Sequence, residues 1–218
     1  MGISNTIPPS RLIQPGVVAN TAARPTSPFT GQAIYQVDTN QMLIWNGTAW
    51  VIPNTPAQNP TGLELVKTQT VGSGVSSVTV SNAFNSTYTS YKIIWSGGYG
   101  SIANDLTLAL GSSTTGYYAA LIYAAYSSTT VQAAGNNNSS SWGWQGFSNT
   151  TGSALDVTLH NPFLALYTQM EGNAYFHPSQ AGRITGYHAS SVSYSSFTIG
   201  LSLGTITGGD ICVYGFRK

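Results

Sequence analysis

The sequence predicts an all-β chain with an extended proline-rich N-terminal arm, a small three-stranded meander and a C-terminal antiparallel β-sandwich of jelly-roll type. Three observations carry that prediction. Ten or so short apolar runs recur between turn signals such as GSG, SGGYGS, GNNNSS and GTITGG. No segment of helical length shows a credible amphipathic stripe. Aromatic residues make up 11% of the chain and charged residues only 6%, where an ordinary domain carries about 25% charged residues. Solubility therefore rests on 27 Ser, 26 Thr, 15 Asn and 24 Gly among 218 residues.

The arm comes first. Eight of the ten prolines fall within residues 1–60. Proline fixes φ and lacks an N–H donor, so residues 1–30 are expected to form neither a long helix nor a central strand. An extended arm of this kind is ordered by lying against something, either its own copies or a larger assembly. Residues 31–52, GQAIYQVDTNQMLIWNGTAWVI, carry three short apolar runs at 34–37, 42–45 and 49–52. Asn46-Gly47 predicts a two-residue type I′ hairpin, which needs positive φ at both central positions. So small a sheet is marginal alone and is expected to dock or be repeated by symmetry. Residues 53–62, with three prolines, read as a stiff linker.

From residue 63 to 218 the pattern is strand, turn, strand. Strands are expected at 64–71, 75–80, 91–96, 105–110, 118–125, 141–147, 155–160, 163–170, 182–189, 197–203 and 210–216. The run YYAALIYAAY is the ambiguous one, since Ala and Leu favour helix while the tyrosines favour strand. Its surroundings decide for strand. Cys212, the one cysteine, reads as a small buried hydrophobe.

Composition also excludes classes. A net charge of +1 with no basic run argues against a nucleic-acid partner. The longest apolar run is far short of the roughly 20 residues of a membrane span, so no membrane insertion is expected. The N-terminus, lacking an apolar stretch, does not read as a secretory signal.

Catalytic chemistry is sparse. A glycosidase needs two carboxylates about 5–9.5 Å apart, and Asp156 with Glu171 is the best available pair; the plainer reading is surface charge or an ion pair with Arg183. Asp38 reads as a turn residue. His160, His177 and His188 lack metal-ligand spacing, and no phosphate loop, dinucleotide fingerprint or nucleophile elbow is present. No catalytic residue, metal or cofactor is expected. The candidate binding residues are Trp142 and Trp144 with Asn137 and Asn138. On a strand the two indoles would share one face, as a platform for apolar sugar faces beside amides that bind hydroxyls. The plainer alternative puts them in the core or a subunit interface.

Residues 24–52 resemble a module of tailed-bacteriophage structural and tail-fibre proteins, through Pro25, Pro28, Gly31, Gln32, Ile34, Tyr35, Asp38, Thr39, Asn40, Trp45, Asn46, Gly47 and Trp50. GLELVKTQTV (62–71), SYKIIW (90–95), NPFLALYTQM (161–170) and GTITGGDICVYGFRK (204–218) are similar to the C-terminal β domain of marine-phage virion proteins. The resemblance implies a virion structural protein, assembled in the bacterial host cytoplasm and exposed on the particle. It implies a homotrimer joined through its N-terminal region to other virion proteins, either a tail adaptor or nozzle or the capsid shell. Ile7, Pro8, Pro9, Leu12, Ile13, Tyr35, Trp45 and Trp50 are the candidate anchoring residues. A tail appendage that binds host-surface glycan is the first expectation. A capsid decoration or head-fibre protein is the alternative, and a polysaccharide-degrading enzyme the least favoured. Low charge agrees with an obligate homo-oligomer, whose interfaces are depleted in charge.

Overall fold

A computed structural model describes residues 16–53, 62–176 and 179–217. These are nearly all β. The chain divides into two compact units, Met1–Asn59 and Pro60–Lys218.

In the first unit β1 (Gly16–Val18), β2 (Ala33–Gln36), β3 (Gln41–Trp45) and β4 (Trp50–Val51) form one sheet in that order. The neighbours β2, β3 and β4 are antiparallel, while β1 lies parallel to β2. Part of the expected extended arm is thus a strand of its own chain's sheet. A single 3₁₀ turn, Thr21–Ala23, follows β1, capped by Asn20 Oδ1, which accepts from the amides of Ala22 and Ala23 at 3.0 and 3.2 Å. Gln36 explains why this stretch stays down. Its amide is fully buried, and burying it unpaired would cost about 1–3 kcal/mol. Its Oε1 accepts from Arg24 Nε at 2.7 Å, and its Nε2 donates to Asp38 Oδ1 at 2.7 Å and Thr21 Oγ1 at 3.2 Å.

The Asn46-Gly47 turn departs from expectation. Trp45 pairs with Trp50, which leaves a four-residue loop. Gly47 has φ +99, whereas Asn46 is not at positive φ. Asn46 acts through its side chain, Oδ1 accepting from the amides of Thr48 and Ala49 at 2.9 and 2.8 Å.

The second unit holds β5 (Leu63–Thr70), β6 (Ser77–Val80), β7 (Tyr88–Ser96), β8 (Tyr99–Gly100), β9 (Asn104–Leu110), β10 (Tyr117–Ala125) and β11 (Val131–Ser139). After these come β12 (Gly146–Asn149), β13 (Gly152–His160), β14 (Thr168–Phe176), β15 (Gln180–His188), β16 (Phe197–Leu201), β17 (Ile206–Thr207) and β18 (Asp210–Arg217). One ladder runs β5-β18-β7-β13-β14-β15-β10-β11, and a second, β12-β9-β16-β6, leaves from the first half of β13. All these pairs are antiparallel. Alternation sends one side of each strand inward. Tyr91, Ile93 and Trp95 of β7, Leu106, Leu108 and Leu110 of β9, and Leu155, Val157 and Leu159 of β13 share one buried core with Ile184, Phe197, Ile199 and Val213.

Three strand expectations need correction. The strand expected at 141–147 begins only at Gly146. Before it Trp142 makes an isolated bridge to Leu108, and Trp144 takes φ +54, which breaks the regular ladder. The strand expected at 163–170 starts at Thr168, because Asn161 (φ +63) and Pro162 make a turn instead. Residues 131–139, whose GNNNSS reads as a turn, form β11. As an edge strand with β10 as its paired neighbour, β11 accepts a polar, small-residue sequence.

Candidate functional site

The face of the long ladder turned away from the core carries a groove beside a row of tyrosines. Register builds it. Ser90 of β7 lies opposite His160 of β13, His160 opposite Gln169 of β14, Gln169 opposite Tyr187 of β15, and Tyr187 opposite Tyr118 of β10. The next rung reads Lys92, Thr158, Glu171, Thr185, Ala120. In an antiparallel sheet such opposed side chains touch, so each rung acts as one row.

Tyr118 and Tyr187 stack with ring centres 5.0 Å apart and planes 8° apart. Tyr167, just before β14, stacks on Tyr187 at 6.0 Å and 26°. The three rings form a continuous aromatic wall. Tyr187 is 40% exposed and Tyr167 53%, so the wall faces solvent. Beside it opens a groove of about 620 Å³, bordered by Tyr118, Ala120, Asn136, His160, Tyr167, Gln169, Glu171, Thr185 and Tyr187. That volume lies within the span of ligand sites, about 300–1,000 Å³. Ala120 and Thr185, being short, leave the trough open, while the tyrosines make its height.

Polar groups are distributed along it. His160 Nδ1 lies 2.9 Å from Ser90 Oγ, which fixes the ring. Glu171 faces Arg183 at 3.8 Å. Lys92 pairs with Asp156, whose Oδ2 also accepts from Asn173 Nδ2 at 3.3 Å. The two carboxylates singled out in the sequence therefore stand on the same sheet face, on adjacent strands, and each has its own cation.

The predicted tryptophan platform does not form. Trp142 is fully buried in the core, where Tyr117 meets it edge-on at 5.0 Å, and it presents no indole face to a sugar. Its Nε1–H donates to the Tyr118 carbonyl at 3.3 Å, so it supports the tyrosine wall from beneath. Trp144 is half-buried and packs on the same core. Asn137 is exposed on the edge strand. Asn138, at φ +54, accepts the Gly116 amide through Oδ1 at 2.9 Å and serves the backbone. Asn136, which sequence reasoning passed over, is the asparagine that borders the groove.

Of the candidate anchoring residues, Tyr35, Trp45 and Trp50 lie in the small sheet. The two indoles meet edge-to-face at 5.6 Å, and the Tyr35 hydroxyl bonds Asn40 Oδ1. Ile7, Pro8, Pro9, Leu12 and Ile13 lie outside the described residues, as does His177. Among the described residues no three His, Cys, Asp or Glu side chains converge as a metal site.

Away from the groove, the perturbed titratable groups include His188 and Asp105. His188, next to Tyr187 but pointing inward, is fully buried. Burial lowers its pKa, opposed by its bond to the Thr115 carbonyl at 3.0 Å. Asp105, on β9 opposite Phe147, is pushed up to about 6 by burial. Neither reaches the groove.

The chain matches no family model, no curated protein and no solved structure.

Proposed function

We propose that this chain is a structural protein of a tailed-bacteriophage particle, a homotrimeric tail-associated appendage whose C-terminal unit binds host-surface glycan. On this reading the three consecutive strands β2, β3 and β4 are a meander that belongs to the attachment end. The second unit is a β-sandwich of jelly-roll type, displayed outward. The observation that carries the binding role is the wall of Tyr118, Tyr187 and Tyr167 above a groove with an amide, a carboxylate, an imidazole and a hydroxyl within reach. Aromatic faces take the apolar side of a sugar ring, and the polar groups take its hydroxyls. The attachment role is supported by the motif residues Gly31, Gln32, Ile34, Tyr35, Trp45 and Trp50, which all fall in the small sheet or its entry loop. Binding rather than hydrolysis fits the engagement of Asp156 and Glu171 with Lys92 and Arg183.

The test is a glycan array probed with the full chain and with Tyr187→Ala, together with the copy number of the protein in purified particles. The expected result is binding to host-surface glycans that the variant loses, at a copy number set by the tail. A copy number that scales with capsid area would move the protein to the shell, and binding unaffected by Tyr187→Ala would remove the groove from the reading.

A further inference from the structure

We infer that the groove selects neutral oligosaccharides and rejects acidic ones; this rests on the glycan-binding reading above and specifies its ligand class. Recognition of a carboxylate, sulfate or phosphate calls for Arg or Lys donors aimed into the site. The groove has none. Its border carries one carboxylate, Glu171, and one imidazole, His160, but neither lysine nor arginine among the described residues. The nearest cations face other partners: Arg183 sits toward Glu171, and Lys92 is paired with Asp156. A uronate or sialate laid along the tyrosine wall would bring its negative charge to Glu171 with no lysine or arginine in the lining to compensate it.

A neutral sugar meets the opposite situation. Tyr187 and Tyr167 offer ring faces. Gln169 and Thr185 make no side-chain hydrogen bond within the described residues, so their polar groups are left for hydroxyls of a ligand or water. The Glu171 carboxylate accepts from sugar hydroxyls, a charge-assisted bond stronger than a neutral one. From His160 on β13 to Tyr118 on β10 the lining crosses four strands, with Asn136 of β11 beyond them. At about 4.8 Å per strand spacing this is roughly 14 Å, the reach of a short oligomer rather than one ring.

The experiment is calorimetric titration of the full chain with two sets of oligomers. One set is neutral, built of glucose, galactose or mannose; the other is acidic, built of guluronate or sialic acid. Expected are binding of a neutral oligomer, affinity insensitive to added salt, and a loss of about tenfold or more in Tyr187→Ala and in the more exposed Tyr167→Ala. Glu171→Gln decides the sign. It weakens a neutral ligand about fivefold by removing the charge-assisted acceptor, whereas it would strengthen an acidic ligand by removing repulsion. An acidic oligomer bound more tightly than every neutral one, with affinity falling in salt and rising in Glu171→Gln, overturns the neutral-ligand inference and leaves glycan binding standing. Failure of both sets to bind folded protein removes the glycan-binding reading itself.

Discussion

At the scale of single residues, charge is so rare that a perturbed ionisable group can be followed individually. Asp105 is half-buried on β9, and burial raises its pKa to about 6. An unfolded Asp titrates near 3.9, so the native state binds this proton more tightly. The stabilisation is fully present below about pH 4 and is lost as pH rises through about 6. A shift of about two units would correspond to ~3 kcal/mol for a fully buried carboxyl, and solvent screening at a half-exposed position leaves about 1 kcal/mol. Asp105→Asn is therefore expected to raise the unfolding midpoint at pH 7–8 and to leave it unchanged near pH 4, read by denaturant titration at both pH values. Equal effects at the two pH values would mean that the carboxyl is not desolvated. His188 acts in the opposite direction: its depressed pKa supports stability above about 6.5, and that support is lost as pH falls through its folded value. Trp142 shows how residue-level reading fails. An indole beside Asn and Ser can be read as platform or, more plainly, as core, and what separates the two is the backbone at Trp144, where φ +54 interrupts the strand. Nothing in GNNNSSSWGWQGF announces that interruption.

At the scale of elements, strands bounded by turn signals were legible where alternation is strong, as in SYKIIW and ALDVTLH. Those passages became β7 and β13, with alternate residues buried. Edge strand β11 was not legible, because an edge position relaxes the demand for apolar alternation. The groove was less legible still. Outward placement of Tyr118 follows from inward Tyr117 and Leu121, but its meeting with Tyr187 depends on a long-range register between β10 and β15 that no local signal specifies. That register is held by close backbone approach. Gly186 lies opposite Ala119, and a Cβ there would overlap the Tyr118 carbonyl oxygen and come within 2.9 Å of Ala119 Cβ. The same carbonyl receives the Trp142 indole N–H. Gly186→Ala must push β10 and β15 apart. The expected cost is about 1–3 kcal/mol of stability from overpacking, with a loosened Tyr118–Tyr187 stack and weaker glycan binding even where the protein remains folded. A variant with wild-type stability and affinity would show that the two strands can separate without disturbing the wall.

At the scale of the whole molecule, the two units differ in how much they can sustain alone. Every member of the large buried core lies between Val71 and Val213, so none comes from the first unit. The first unit, among its described residues, buries Ile34, Leu43 and the amide of Gln36. It leaves Val17, 71% exposed, beside Tyr35 and Met42 on the other side of its sheet. Four short strands with so few buried side chains are marginal in isolation, which fits a part completed by whatever it is attached to. Residues 1–30 include β1 and the Thr21 and Arg24 partners of Gln36, so they are part of the small sheet's own structure. Removing them would take away Thr21 and Arg24, two of the three side-chain partners of the buried Gln36 amide, and leave only Asp38. The informative deletion is therefore residues 1–59 together. The remaining chain is expected to fold with an unfolding midpoint close to that of the second unit in the intact protein, and to bind the same glycan with unchanged affinity. It should be missing from particles assembled in its presence. Normal incorporation of the shortened chain would place the attachment surface on the second unit. Loss of glycan binding in a folded shortened chain would show that the groove depends on the N-terminal unit.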